Sequence, residues 1–502
     1  MDWVDMYPKS EHHLLIYSLT QITYVQNTPV EAARASNQEE GTFHLKMTTT
    51  LTFQFQLQLP TQPCLRTRCT LTKQGQRFLT KISTTTTNTN TTENLIRKFV
   101  QFSPKSVLLS TLTHLLSSSP TTSNLSSLAL PLYTRITQAP WFTYNPTIVA
   151  DLIALLHKLG RYSEAQTLIS QAISNLNNQE RDLVLFYSKL LDSHSKRASR
   201  TGFDSAFSHL NHLLHTSSSF YVKRRAYESM VSGLCAMDKP REAENLVRDL
   251  SRTDGDDDNN GNGQFRFQPS AFEFKGILYG YGRLGMFHDL LRVVDQMEKN
   301  GFVIDTVCYN MVLSTYGKHG EHVEMVSWLR RMRDSGVPFS IRTYNSVSNS
   351  CPTIMRKVVD MDMNELVLSI EELNGSLEGG EAMVVKELVS CSVILEEVMV
   401  WDSKEVKLDL HGFHLGSAYL VMLLWLEEMQ KRLLNGEIPA EITVVCGFGK
   451  HSNVRGESPV KVLVKEMLMK MKSPLRIDRK NIGCFVAKGK AVKNWLCELR
   501  NP

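Results

Sequence analysis

Residues 272–306 read "FEFKGILYGYGRLGMFHDLLRVVDQMEKNGFVIDT", and residues 307–341 read "VCYNMVLSTYGKHGEHVEMVSWLRRMRDSGVPFSI". The two align without a gap at a spacing of 35, and "RTYNSV" opens a third copy at 342. Phe274, Tyr309 and Tyr344 hold one place in the repeat, Gly285 and Gly320 a second, Gly301 and Gly336 a third. Each unit predicts a helix, a turn at its first glycine and a second helix that ends near its second glycine. A hairpin of that size cannot bury its apolar stripe alone, so neighbours must stack on it, and the result is a helical solenoid.

Looser copies lie upstream. "VADLIALLHKLGRYSEAQTLISQAI" (149–173) keeps the turn and a small packing residue at Ala165, and "RAYESMVSGLCAMDKPREAENLVRDL" (225–250) opens its second helix on Pro240. A further pair is expected over about 184–215, which makes five repeats and a partial one after 342. The insert "DGDDDNNGNGQ" (254–264) has nothing to pack and reads as a disordered loop. It lacks the spaced ligands and closing Glu of a calcium loop.

This stretch, with its "YN", its turn glycine ten residues later and its "M…G" endings at Met297–Gly301 and Met332–Gly336, resembles the pentatricopeptide repeat family. The resemblance implies that the first helix of each repeat offers side chains to one base of single-stranded RNA. The base-reading positions it implies are Lys275 with Asp305, and Asn310 with Ser340. Asn310–Ser340 resembles a pyrimidine-reading pair. Lys275 departs from the usual small polar residue, which suits a backbone clamp better than a base reader. The bland alternative for Asn310 is a hydrogen bond at the helix start.

The flanks differ in character. Residues 1–46 are mixed and look like no targeting signal. From Met47 the chain is Thr-rich, with Arg66, Arg68, Lys73, Arg77 and Lys81 and no acidic residue before Glu93. That composition reads as an organelle transit peptide over 47–95, chloroplast in preference to mitochondrion, with a disordered low-complexity tail as the alternative. A helical lead-in is expected over 96–145, and repeats over 147–350. Residues 352–404 are acidic, with helices expected at about 354–374 and 381–400, and read as a bridge that covers the last repeat. Phosphate would be repelled there.

From Glu405 to the end the sign flips, with sixteen Lys and Arg against ten Asp and Glu. "EVKLDLHG" reads as a strand, 416–436 as an amphipathic helix and "AEITVVCG" as a buried strand. Residues 458–471 read as a helix capped by Ser458 with Pro459 at its first position, and "LRIDRK" and "NIGCFVAK" as two more strands. The expectation is a compact two-layer α/β domain over 405–500. "LDLHG" (408–412) followed by "CGFGKHSNVRGESPVK" (446–461) resembles the Smr (small MutS-related) module, and repeats followed by Smr resemble a plant organellar architecture. Where that motif commonly has Thr, this chain has Cys446, a weaker donor, which puts nuclease activity in question.

Residue chemistry points to the same place. Asp409 and His411, two apart, would leave one face of a strand where it meets its loop. His411 titrates near neutrality and suits general acid–base work; Asp409 could orient it or hold a divalent cation. Gly447 and Gly449 would let backbone amides approach a phosphate, and Lys450, His451 and Arg455 would neutralise it. Against this stand a strand-end hydrogen bond for Asp409, a structural turn role for His411 and a solvated basic edge for the loop. His414 finds no further ligands at zinc spacing.

The leading function is therefore an organellar protein whose repeats bind single-stranded RNA and whose C-terminal domain contacts or cleaves it, with Mg2+ as the cation a nuclease would take. The alternatives are a non-catalytic RNA-binding module, a protein-interaction scaffold and a nucleoid DNA-binding protein. The net charge of +5 is too small to decide among them, and nine cysteines without a C-x-x-C give neither a redox dithiol nor a disulfide scaffold. No run of eighteen apolar residues offers a membrane span.

Overall fold

A computed structural model describes residues 71–84, 89–117, 125–176, 179–251, 268–359, 369–390, 393–447 and 458–499. The segment 1–46, most of the transit-peptide stretch and the insert 254–264 lie outside the described residues.

The chain is a helical repeat stack that runs into a small α/β sheet domain. Among the described residues, four lead-in helices come first: α1 (Lys73–Thr84), α2 (Thr89–Phe102), α3 (Lys105–Leu116) and α4 (Ala129–Ile136). Helical structure thus begins inside the stretch expected to be a leader or a disordered tail. The reason is amphipathicity: α1 buries Phe78, Leu79 and Ile82, and Phe78 stacks on Phe99 of α2 with ring centroids 3.8 Å apart.

Five hairpins follow. They are α5 (Pro146–Lys158) with α6 (Tyr162–Asn175), α7 (Glu180–Lys196) with α8 (Arg200–Thr216), α9 (Phe220–Ala236) with α10 (Pro240–Ser251), α11 (Ala271–Arg283) with α12 (Phe287–Lys299), and α13 (Thr306–Lys318) with α14 (His322–Asp334). A shorter pair, α15 (Ile341–Ser348) and α16 (Pro352–Val359), comes last. The first helices stack in sequence order, α5 on α7, then α9, α11, α13 and α15.

One backbone device turns every full hairpin. The residue between its helices is left-handed: Gly160 (φ 73°), Ala198 (φ 52°), Asp238 (φ 62°), Gly285 (φ 68°) and Gly320 (φ 76°). The next amide reaches back to the same carbonyl of the closing turn, as in Arg161 to Leu156, Ser199 to His194, Lys239 to Leu234, Met286 to Tyr281 and Glu321 to Tyr316. This is the Schellman C-cap, which satisfies the last helical carbonyls. Two degenerate repeats keep the geometry without the glycine.

Caps also set where the late first helices begin. Ser270, Asp305 and Ser340, spaced by 35, are the N-caps of α11, α13 and α15. At α11 the capping box closes on Glu273, a fully buried carboxylate whose other oxygen takes a hydrogen bond from Arg224 of α9 at 2.5 Å.

The acidic bridge is more broken than its pattern predicted. Ser369 is extended (φ −138°, ψ 161°) and starts α17 (Ile370–Ser376), so no single helix fills 354–374. The helix expected over 381–400 divides into α18 (Glu381–Ser390) and α19 (Ile394–Val398), and the chain then enters strand β1 (Met399–Trp401). Met399, Val400 and Trp401 pair along the open edge of the first domain strand, which a helix there would leave exposed. α18 packs on α14, with Glu387 held by Arg330 and Arg333, while Tyr344 donates to the carbonyl of Leu388 at 3.1 Å.

The C-terminal sheet holds β1, β2 (Glu405–Asp409), β3 (Glu441–Val445), β4 (Arg476–Ile477) and β5 (Cys484–Lys488) in the order β1-β2-β3-β5-β4. β2 and β3 are parallel and the other pairs antiparallel. Three helices accompany it: α20 (Leu415–Leu434), α21 (Pro459–Lys470) and α22 (Gly489–Leu499). α20 packs on α21 and α22, and buries Trp425 completely. α22 has no counterpart among the elements expected from the sequence, although Val492, Trp495 and Leu496 stand at helical spacing and are buried. α20 also packs on α15, so the α/β domain continues the stack of first helices.

Candidate nucleic-acid interface

In the described repeats, a ladder position lies ten residues before each left-handed turn. Down the stack it carries Ala150, Ser188, Glu228, Lys275 and Asn310, and Asn345 in α15 follows Asn310 by the 35 residues that separate Asn310 from Lys275. The structure brings Lys275 and Asp305 together: Nζ stands 2.6 Å from Oδ2, while Oδ1 of Asp305 caps α13 by accepting from the Cys308 amide. The Lys275 ammonium is one reason the Asp305 carboxyl sits below its usual range, against a desolvation that would raise it. A lysine so paired is not free to clamp a phosphate in this state. Asn310 and Ser340 do not pair in this way. Ser340 accepts from the Thr343 amide as an N-cap. Asn310 is 9% exposed, and its Oδ1 is buried with no hydrogen-bond partner among the described residues. Asp305 and Ser340, expected from the resemblance to read bases, are both helix N-caps, and Lys275 is held in an ion pair by the first of them.

At the α/β domain, β2 ends at Asp409, and His411 lies beyond it in the turn, so the two are not strand neighbours on one face. The cause is an Asx-type bond: Oδ1 of Asp409 accepts from the His411 backbone N–H at 2.8 Å and bends the chain there. The Leu410 amide donates to Val445 at 2.8 Å and keeps the turn beside the end of β3. His411 is exposed and Asp409 half-buried.

Gly447, the first residue of the glycine loop, does meet His411. It is left-handed (φ 78°), and a Cβ there would stand 3.4 Å from Cδ2 of the imidazole. On its other side Gly483 comes so close that a Cβ on Gly483 would stand 3.1 Å from the Gly447 carbonyl carbon. A side chain would be strained at Gly447 and would crowd the ring. The loop's two ends are tied by Ser458, which caps α21 by accepting from Lys461 N–H at 3.0 Å and donates to the Cys446 carbonyl at 3.1 Å. Gly449, Lys450, His451 and Arg455 lie between those ends, outside the described residues. Cys446 is 4% exposed, and burial, helped by Cys484, pushes its thiol up to about 12, so it is a neutral packing group. Among the described residues no three His, Cys, Asp or Glu side chains gather as a metal site.

One further residue, absent from the expected site, stands at this edge. Asn345, from the third "YN", donates through Nδ2 to the Gly412 carbonyl at 2.9 Å, and its Oδ1 accepts from the His414 amide at 2.9 Å and from the Ser417 hydroxyl. Asn349 Nδ2 stands 2.6 Å from Nδ1 of His414. The repeat stack therefore grips the turn that carries His411.

Comparison with known proteins places these observations in a family. The PPR repeat family matches residues 225–252, 274–302 and 307–337, which are the hairpins α9–α10, α11–α12 and α13–α14. The pentatricopeptide repeat-containing protein At2g17033 of Arabidopsis thaliana is 49% identical over 432 residues, 85% of this chain and 83% of its own. The chain belongs to the pentatricopeptide repeat proteins. A second Arabidopsis thaliana member, At1g74750, is 36% identical over 92 residues, 18% of this chain and 11% of its own. Among solved structures, pentatricopeptide repeat protein PPR10 from maize is 14% identical with a TM-score of 0.31, over 75% of this chain and 56% of that one. PPR10 in complex with an 18-nt psaJ RNA element is 17% identical with a TM-score of 0.25, over 62% and 53%.

Proposed function

We propose that this pentatricopeptide repeat protein binds single-stranded RNA along its ladder of first helices, and that its C-terminal unit is an Smr-type domain that contacts the same strand through its glycine loop. The carrying observation is continuity. First helices stack from α5 to α15, and the last of them grips the turn where exposed His411 meets Gly447. Stacked repeats suit an extended strand, because successive bases can meet successive rungs. The basic residues of the loop, Lys450, His451 and Arg455, supply charge for its phosphates.

The test is equilibrium binding of the full chain to a mixed-sequence single-stranded RNA at rising salt. Affinity is expected to fall roughly 10-fold or more from about 50 to about 200 mM salt, the response of a few phosphate contacts. Absent or salt-independent binding overturns the reading. Double-stranded DNA bound more tightly than the RNA would favour the nucleoid role, and binding to neither would favour a protein scaffold.

Cleavage is the second reading, favoured by the exposure of the His411 ring beside the glycine backbone. In it His411 moves a proton at the phosphodiester while loop amides face the charge that develops. Asp409 would offer its carboxylate to a Mg2+ ion, which would supply positive charge at the phosphate. His411→Ala is expected to abolish cleavage and leave RNA affinity within a few-fold; a variant that still cuts removes His411 from the chemistry. The Thr-rich, acid-free stretch after Met47 supports import into the chloroplast, which a fluorescent fusion of residues 1–95 would report.

A further inference from the structure

Asn345 holds in α15 the place that Asn310 holds in α13, yet the two amides are in opposite states. Asn310 leaves its oxygen without a partner among the described residues, whereas both ends of the Asn345 amide are used, all on one turn of the α/β domain. Asn345 is 9% exposed, so these bonds are largely screened from water. Asn349, one helical turn further, holds the His414 ring. Gly416 lies so close to the end of α15 that a Cβ would stand 3.0 Å from the Ser348 carbonyl. The turn is thus fastened to α15 at Gly412, His414 and Ser417, and to β3 through Leu410. His411 stands between those fixings, with Gly447 against its ring.

We propose that Asn345 is a positioning residue: it clamps the Gly412–His414 turn to the last first-helix and so holds His411 over Gly447. The rung after Asn310 is then no longer an amide of the repeats but the exposed His411–Gly412 edge. The nucleotide one step beyond Asn310 meets that edge. The identity of the ligand rests on the RNA-binding reading above; the clamp does not.

The experiment uses the full chain as wild type, Asn345→Leu, which keeps size and loses every bond, and Asn345→Asp, which keeps the acceptor for His414 and Ser417 and loses the donor to Gly412. Hydrogen exchange of the Gly412–Ser417 amides is expected to rise about 10-fold or more in Asn345→Leu and less in Asn345→Asp, with β2 and β3 unchanged. A single 4-thiouridine is then walked along a mixed-sequence RNA for photocrosslinking. In wild type, crosslinks to the peptides bearing Asn310 and His411 are expected from adjacent nucleotides. In Asn345→Leu the His411 crosslink is expected to fall about 5-fold or spread over several nucleotides while the Asn310 crosslink stays, with partial recovery in Asn345→Asp. Unchanged exchange in either folded variant, or an unchanged His411 crosslink in Asn345→Leu, overturns the proposal. A wild-type chain that binds no RNA overturns the RNA reading and the ladder step together, and exchange alone then decides the clamp.

Discussion

At the scale of single residues, burial decides more than identity. His194 is 1% exposed, and neither ring nitrogen finds a hydrogen-bond partner among the described residues. Its ring lies 4.8 Å from that of His157 and against Gly202. Burial, then His157 and Arg197, push it down to about 3 from 6.5, so the fold holds it neutral. Well above pH 6.5 neither state is protonated and the ring is silent. Between 6.5 and about 3 the unfolded chain takes a proton that the folded chain refuses, so stability falls as pH falls. From about pH 7 to about pH 5 this group is expected to remove about 2 kcal/mol. Urea midpoints of wild type and His194→Phe at both pH values check it: the variant should lose less stability on acidification, and equal losses would exclude His194 as the cause. Cys446 makes the same point. Read from the sequence as a departure from an Smr-like pattern, it is buried in the packing, so it bears less on the chemistry than that resemblance implied.

At the scale of elements, the repeat is a backbone pattern first and a side-chain pattern second. All five full hairpins share a left-handed turn residue and the same capping hydrogen bonds, although only three carry glycine there. An alanine in that conformation is strained. Ala198→Gly is therefore expected to stabilise the chain by about 1 kcal/mol, after the entropy glycine adds to the unfolded state. A thermal or urea melt reads it, and no gain would mean that the turn is held by its neighbours. The hairpin and its 35-residue period were legible because the turn glycines, the aromatic place and the "M…G" endings recur in the sequence. The bridge was legible only as helix-forming. Its pattern could not say that Met399–Trp401 would leave helix for strand, because the strand edge they cover begins six residues after Met399 and is completed only in the folded sheet.

At the scale of the whole molecule, the α/β domain closes the stack as well as following it. A solenoid is stabilised through neighbour contacts, and its last repeat needs a cover. Here α18 covers α14 and α20 covers α15. Truncation after residue 404 is expected to lower the melting temperature of the repeats by several degrees and to speed amide exchange in α15 and α16. Unchanged values would mean that the domain is a passenger. The same contact explains how much of the site could be read beforehand. Local order placed Asp409, His411, Gly447 and the Ser458 cap at one end of two strands, and parallel pairing of β2 with β3 brings that end together.

The sequence by itself determined the repeat, its caps and turns, and the α/β pattern that follows, because each depends on residues within a helix or two of one another. The tertiary structure alone decided which polar rungs are occupied. Lys275 is met by an aspartate 30 residues away, and Asn345 by a turn about 70 residues downstream. The repeat resemblance set Lys275 beside Asp305 without saying that they would close on each other, and the partners of Asn345 are chosen by the stacking of distant elements, which no local pattern records.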